Sequence, residues 1–116
     1  MARLDGQAAI VTGGKGAASY SAAKGGVVNS TQQVAVDHAE EGVRVNSISP
    51  GGFYSEEMED VEDYTDVFVP EYEFRTPLGR MGDETDMKGI VVYLASDASK
   101  WMTGQNLLLD GGWTTW

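Results

Sequence analysis

Residues 20–51 read YSAAKGGVVNSTQQVAVDHAEEGVRVNSISPG, and this stretch decides the fold. Tyr20, Lys24, Val27, Val28, Thr31, Val34, Ala35 and His38 recur at helical spacing, so a helix is predicted from Tyr20 to about Glu41. Ser19 stands where an N-cap is wanted, and Gly42 follows the last helical residue, where a left-handed C-cap favours glycine. Residues 43–49 (VRVNSIS) form a strand that Pro50-Gly51-Gly52 stops. A crossover helix of this kind needs a strand to feed it. The apolar run of residues 7–12 (QAAIVT), halted by Gly13-Gly14, is placed in that slot, directly beside the second strand.

Working outward, residues 53–75 carry aromatics and an acidic run, and are predicted as a loop or short helices. Asp83 then caps a helix in which Met87, Ile90, Val91, Leu94 and Ala95 form one stripe. Residues 105–109 make the last strand, ended by Gly111-Gly112. The order β-α-β-(lid)-α-β implies an α/β fold. The expectation is a reduced Rossmann-like arrangement in two or three layers. It has a three-stranded parallel sheet (residues 7–12, 43–49 and 105–109) and two main helices. No repeat or linker divides the chain, so residues 1–116 are read as a single domain with a lid-like segment at 53–75. Three strands leave two open edges and little core. A homo-oligomer is therefore expected, covering Val27, Val28, Val34 and the Trp101, Trp113 and Trp116 region.

Composition narrows the function classes. The 116 residues suit one modest core. Eighteen acids against eight bases give a formal charge of −10, which argues against nucleic acid and against an anionic membrane surface. No apolar run approaches the ~20 residues of a spanning helix, and no signal-peptide pattern opens the sequence. The absence of cysteine removes disulfides and thiolate metal sites. A soluble cytoplasmic protein is expected. Half of the acids fall between Glu56 and Glu73. Such a run could hold a divalent cation, but a solvated lid is the commoner meaning, and no metal site is assigned.

The pentapeptide Tyr20-Ser21-Ala22-Ala23-Lys24 carries the chemistry. Four residues apart on a helix, the Tyr and Lys side chains share a face. A phenol of pKa near 10 is a poor acid or base at neutral pH, and a nearby ammonium lowers that pKa by stabilising the phenolate. The pair could then pass a proton to or from a carbonyl or alcohol oxygen. The plainer alternative is a half-buried Tyr beside a surface Lys. Gly13-Gly14-Lys15-Gly16 before a helix could cradle an anion or be a flexible turn, and it lacks the Gly-Lys-Ser/Thr of a P-loop. His38 in the last helical turn reads as a cap for the helix dipole. Met81, Met87 and Met102 read as packing residues.

Taken in order, Val11-Thr12-Gly13-Gly14, the Tyr-Lys helix, Arg44 to Gly51, Leu94-Ala95-Ser96-Asp97, Thr103-Gly104-Gln105 and Asp110-Gly111-Gly112 resemble the short-chain dehydrogenase/reductase family. The resemblance runs from about Ser19 to Trp116 and resumes over residues 1–14. It implies NAD(P)-dependent hydride transfer, with NAD or NADP as cofactor and an alcohol, sugar or ketone as substrate. Residues 75–82 with Asp110 to Trp113 look most like sugar and polyol members. By resemblance, Tyr20 is the general acid/base, and Lys24 lowers its pKa and bonds the nicotinamide ribose. Thr12, Gly13, Gly14 and Gly16 stand at the pyrophosphate turn, Pro50 and Gly51 beside the nicotinamide, and Ser55 where a hydroxyl meets the cofactor. Asn46 is read as structural, tying its strand to neighbouring loops.

The chain also departs from the family. The family turn runs Thr-Gly-x-x-x-Gly-x-Gly, whereas here only seven residues separate Thr12 from Tyr20. In the family that interval holds several strands and helices, the residue that selects the adenosine ribose, and the catalytic Ser and Asn. A truncated member follows, with hydride transfer weak or lost. The alternatives are a non-catalytic oligomerising remnant or a module that binds an anion or nucleotide fragment.

Overall fold

The structure is a computed structural model that describes the backbone of residues 8–11 and 17–115 and the side chains of residues 22–115. Its main elements are β1 (Ala8–Val11), α1 (Ala17–Asp37), β2 (Arg44–Pro50), α2 (Val69–Arg75), α3 (Glu84–Ala95) and β3 (Asn106–Leu109). The sheet order is β1-β2-β3. β1 runs parallel to β2, with Ala8 opposite Arg44 and Val11 opposite Ser47. On the other side of β2, the Ser47 N–H reaches the Gln105 carbonyl (2.8 Å) and the Gly51 N–H reaches that of Leu109 (2.9 Å). Both partners advance together along the chain, so this pairing is parallel too. The three-stranded parallel sheet is therefore present, and the opening strand lies directly beside the second.

Several boundaries differ from the sequence reading. α1 begins at Ala17, so Ser19 lies inside the helix and not at its cap. Ala17-Ala18, residues that favour helix, extend it by one turn. The α-helix ends at Asp37 and not at Glu41, because His38 takes φ −111° and ψ 6° and residues Ala39–Glu41 tighten into a 3₁₀ turn. Gly42 closes that turn in the left-handed region at φ 75°, as expected of it. α2 is a third, short α-helix within the lid, preceded by a π-turn at Tyr64–Phe68 and opened by Pro70.

The described chain forms two compact units. The first comprises the residues up to Ser49 and Ile90–Leu107. Its core holds Ala35, Val43 and Val45, with Leu94 fully buried. Val45 through Ile48 are buried without a break, the pattern of a strand covered on both faces. Asn46, only 1% exposed, donates from Nδ2 to the Met102 carbonyl (3.2 Å) and accepts the Gln105 N–H on Oδ1 (3.0 Å). It has the structural role read from the sequence. The Arg44 guanidinium donates to the carbonyls of Leu94 (3.0 Å) and Ser96 (3.3 Å), occupying acceptors that the end of α3 would leave unmade, and also to that of Met102 (3.1 Å).

The second unit comprises Pro50–Gly89 and the residues from Leu108 onward. Asp83 caps α3 as expected: its Oδ1 accepts the N–H groups of Thr85 (2.8 Å) and Asp86 (3.3 Å). Asp86 Oδ2 returns the contact by accepting the Asp83 N–H (2.9 Å), a reciprocal capping box. The apolar stripe of α3 is narrower than five positions, since Val91 and Ala95 are exposed. No helix among the described residues is long and apolar enough to cross a membrane.

Candidate active site

Tyr20 and Lys24 sit one turn apart on α1, the crossover helix between β1 and β2. The Tyr20 side chain lies outside the described ones, and Lys24 is half-buried. Thr12, Gly13, Gly14 and Gly16 lie outside the described residues. Both Lys24 and the backbone of Tyr20 belong to the first unit, whereas Pro50, Gly51 and Ser55 belong to the second.

Within the second unit, the segment from Pro50 to Ser55 is held tightly. Beyond its bond to Leu109, Gly51 has no room for a side chain: a Cβ there would come within 2.7 Å of Asp110 Cβ. The next N–H, of Gly52, donates to the Tyr72 hydroxyl (2.5 Å), and the N–H of Ser55 donates to the Tyr64 hydroxyl (2.9 Å). The two tyrosines belong to a continuous run of rings. Tyr54 meets Tyr64 (centroids 5.7 Å apart), Tyr64 stacks on Phe68 (5.7 Å), and Phe68 meets Tyr72 (5.9 Å). Tyr72 lies flat on Trp113 at 4.4 Å and 5°. The sequence marked the tyrosines and Phe68 only as lid residues, and Trp113 only as part of a region covered by other subunits. The bonds of Tyr72 to Gly52 and of Tyr64 to Ser55 cross 20 and 9 positions, a non-local pairing that no periodicity announces.

Next to this segment is a cleft of about 80 Å³ lined by Gly52, Phe53, Arg80, Asp86, Asp110 and Gly111, among others. Arg80 and Asp86 meet there in two bonds of 2.7 and 2.8 Å. The Arg80 bonds, then the Asp83 N–H, hold the Asp86 carboxyl well below the usual carboxylate range. Asp110 accepts from the Thr114 hydroxyl (2.7 Å) and the Gly112 N–H (2.9 Å), which lower its pKa and fold the turn bearing Trp113. Tyr54 donates to Glu59 (2.6 Å), and that bond, with smaller help from burial and charge, pushes its phenol up to about 12.

Other candidate residues are placed as follows. His38 directly follows the last α-helical residue, where its N–H still bonds the Val34 carbonyl (3.1 Å), and it pairs through Nδ1 with Glu41 (3.0 Å). Within the acidic stretch, eight of the nine carboxylates are exposed, Glu73 being half-buried. Trp101 is fully exposed and Val34 is 40% exposed. Val27 and Val28 are half-buried, and Trp116 lies outside the described residues.

Comparison with known proteins decides the family. A family profile described as enoyl-(acyl carrier protein) reductase matches residues 6–114. L-rhamnose 1-dehydrogenase (NAD(P)(+)) of Sphingomonas sp. is 41% identical over 103 residues, 88% of this chain and 40% of that one. The chain belongs to the short-chain dehydrogenase/reductase family. Among the solved structures that the chain resembles are several with bound cofactor. One is a short-chain dehydrogenase from Leptospira borgpetersenii with bound NAD+. It is 43% identical with a TM-score of 0.71, over 82% of this chain and 35% of that one. Another is a gluconate 5-dehydrogenase from Burkholderia cenocepacia in complex with NADP and tartrate. It is 37% identical with a TM-score of 0.76, over 85% of this chain and 38% of that one. This short-chain dehydrogenase/reductase spans about two fifths of the length of the curated relatives it matches.

Proposed function

We propose that this chain is a pared-down oxidoreductase that binds the nicotinamide side of NAD or NADP and handles the proton of an alcohol, sugar or ketone, with turnover far below that of its longer relatives. The observation that supports the reading is the β1-α1-β2 crossover: β1 pairs in parallel register with β2, and the helix between them carries Tyr20 and Lys24. In the proposed mechanism the Tyr20 hydroxyl exchanges a proton with the substrate oxygen, and the Lys24 ammonium stabilises the phenolate that results. When bound, the cofactor supplies or accepts the hydride.

By resemblance, one side of that cofactor has candidate partners in this chain. Lys24 would reach the ribose, and Pro50 and Gly51 would form the wall beside the ring. Ser55 offers a hydroxyl that makes no hydrogen bond among the described residues. Thr12, Gly13, Gly14 and Gly16 would meet the phosphates. The adenosine side finds no such set in the sequence, since Thr12 is followed within eight positions by Tyr20. The loss of one preorganised donor alone costs roughly 10²–10³ in rate. Segment 53–75 acts as the substrate lid of the single domain 1–116, working in the cytoplasm. Metal plays no part.

A second reading, a non-catalytic remnant that self-associates, is favoured by the full exposure of Trp101. The two separate cleanly. Under the enzyme reading, Tyr20→Phe abolishes residual NADH-dependent reduction of a sugar ketone while leaving NADH affinity within about twofold. Turnover unchanged by Tyr20→Phe, or absent in the unmodified chain, rejects it. Light scattering at micromolar concentration tests the homo-oligomer, and a stable monomer rejects it.

A further inference from the structure

We propose that Tyr64 and Tyr72 are positioning residues: two lid tyrosines whose hydroxyls fix the backbone from Gly51 to Ser55, so that the lid sets how firmly the chain holds a nicotinamide. The proposal rests on the reading that Pro50, Gly51 and Ser55 face the cofactor. It goes beyond that reading by assigning control of those residues to side chains that need not touch the ligand.

The same device occurs twice. The Tyr72 hydroxyl accepts the Gly52 N–H at 2.5 Å, and the Tyr64 hydroxyl accepts the Ser55 N–H at 2.9 Å. These donors flank Phe53 and Tyr54, so the two bonds pin a short segment near both ends. The rings also fill the space against it. A Cβ on Gly52 would fall 2.6 Å from Tyr72 Cε1, and one on Gly51 would fall 3.2 Å from the Tyr72 hydroxyl. Glycine at both positions is what lets the ring come this close. The Gly51 N–H is held in turn by the Leu109 carbonyl, so the segment is tied both to the end of β3 and to Tyr72.

The tyrosines are themselves braced. Tyr64 is 7% exposed and stacks on Phe68, which meets Tyr72. Tyr72 lies on Trp113, whose turn is folded by Asp110. Its own carbonyl accepts the Thr76 hydroxyl (2.8 Å), fixing the end of α2. A ligand-binding turn held in advance spares the ordering cost that binding would otherwise carry. Loss of either hydroxyl frees one backbone N–H and lets the turn sample other shapes.

The test is titration with NADH, followed by nicotinamide emission, of the unmodified chain and of Tyr64→Phe, Tyr72→Phe and the double variant. Phe keeps the ring and its stacking, so the fold is retained. Work well below the thermal midpoint keeps every variant folded. There, a role in packing alone lowers the midpoint and leaves Kd where it was. Each single variant is expected to weaken NADH about fivefold, the equivalent of about 1 kcal/mol, one hydrogen bond's worth. Single variants within twofold of the unmodified chain overturn the positioning role alone. An unmodified chain that ignores NADH overturns the cofactor reading, and this proposal with it. Amide exchange offers an independent check on the unmodified chain. Added NADH is expected to slow exchange of the Gly52 and Ser55 N–H groups several-fold, and unchanged rates overturn the proposal.

Discussion

Replacement of Asn46 by alanine tests the join between β2 and the approach to β3. The side chain is 1% exposed and makes two hydrogen bonds, to the Met102 carbonyl and from the Gln105 N–H. After truncation the Met102 carbonyl still accepts from Arg44 Nη1 at 3.1 Å, whereas the Gln105 N–H loses its partner. Two bonds at about 1 kcal/mol each, together with the stranded donor, put the cost at about 2–3 kcal/mol. With a urea m-value of about 1.5 kcal/mol/M, the unfolding midpoint drops by about 1.3–2 M. The reference is Asn29→Ala, an exposed position on α1, expected to stay within about 0.5 kcal/mol of the parent. Both are measured by urea unfolding at one fixed protein concentration, because any assembly would add to stability. If the Asn46 variant unfolds with the Asn29 variant, Asn46 does not join β2 to that loop and the packing argument for the first unit is wrong.

Other outcomes follow from the same geometry. Leu94→Ala empties a fully buried site and is expected to cost about 2–5 kcal/mol in the same assay, whereas the exposed Val92→Ala stays within about 0.5 kcal/mol. Tyr54 is expected to ionise near pH 12, read by phenolate absorbance, because Glu59 holds its proton. Glu59→Gln brings the titration back toward about 10. Asp83, Asp86 and Asp110 have depressed folded pKa values, so their contribution is present above the unfolded value of about 3.9. It drains away as pH falls through their folded values. Thermal midpoints are therefore expected to drop below about pH 4, and the slope to flatten in Asp86→Asn.

Signals local to a few residues were legible. Gly42, Asp83 and Gly111 announced a left-handed cap, an N-cap and a turn, and each performs that role. The pairing of β1 with β2 was readable because so few residues separate Thr12 from Tyr20 that the first strand had only one helix to feed. Element ends were harder. The start of α1 at Ala17 and its end at Asp37 depend on alanine propensity and on a 3₁₀ turn that the spacing of apolar residues does not record. The pairing of His38 with Glu41 was equally hidden, since Glu41 lies in that same turn. Tyr64, Tyr72 and Trp113 were illegible for a different reason: their roles depend on which loop the lid meets, and tertiary packing alone settles that.

Calorimetric titration of the unmodified chain with NADH and with NADPH tests most directly whether a nicotinamide site outlives the loss of the adenosine side. Heat of binding that saturates below millimolar ligand, for either cofactor, is the expected result. A flat trace at millimolar concentrations of both would contradict the account.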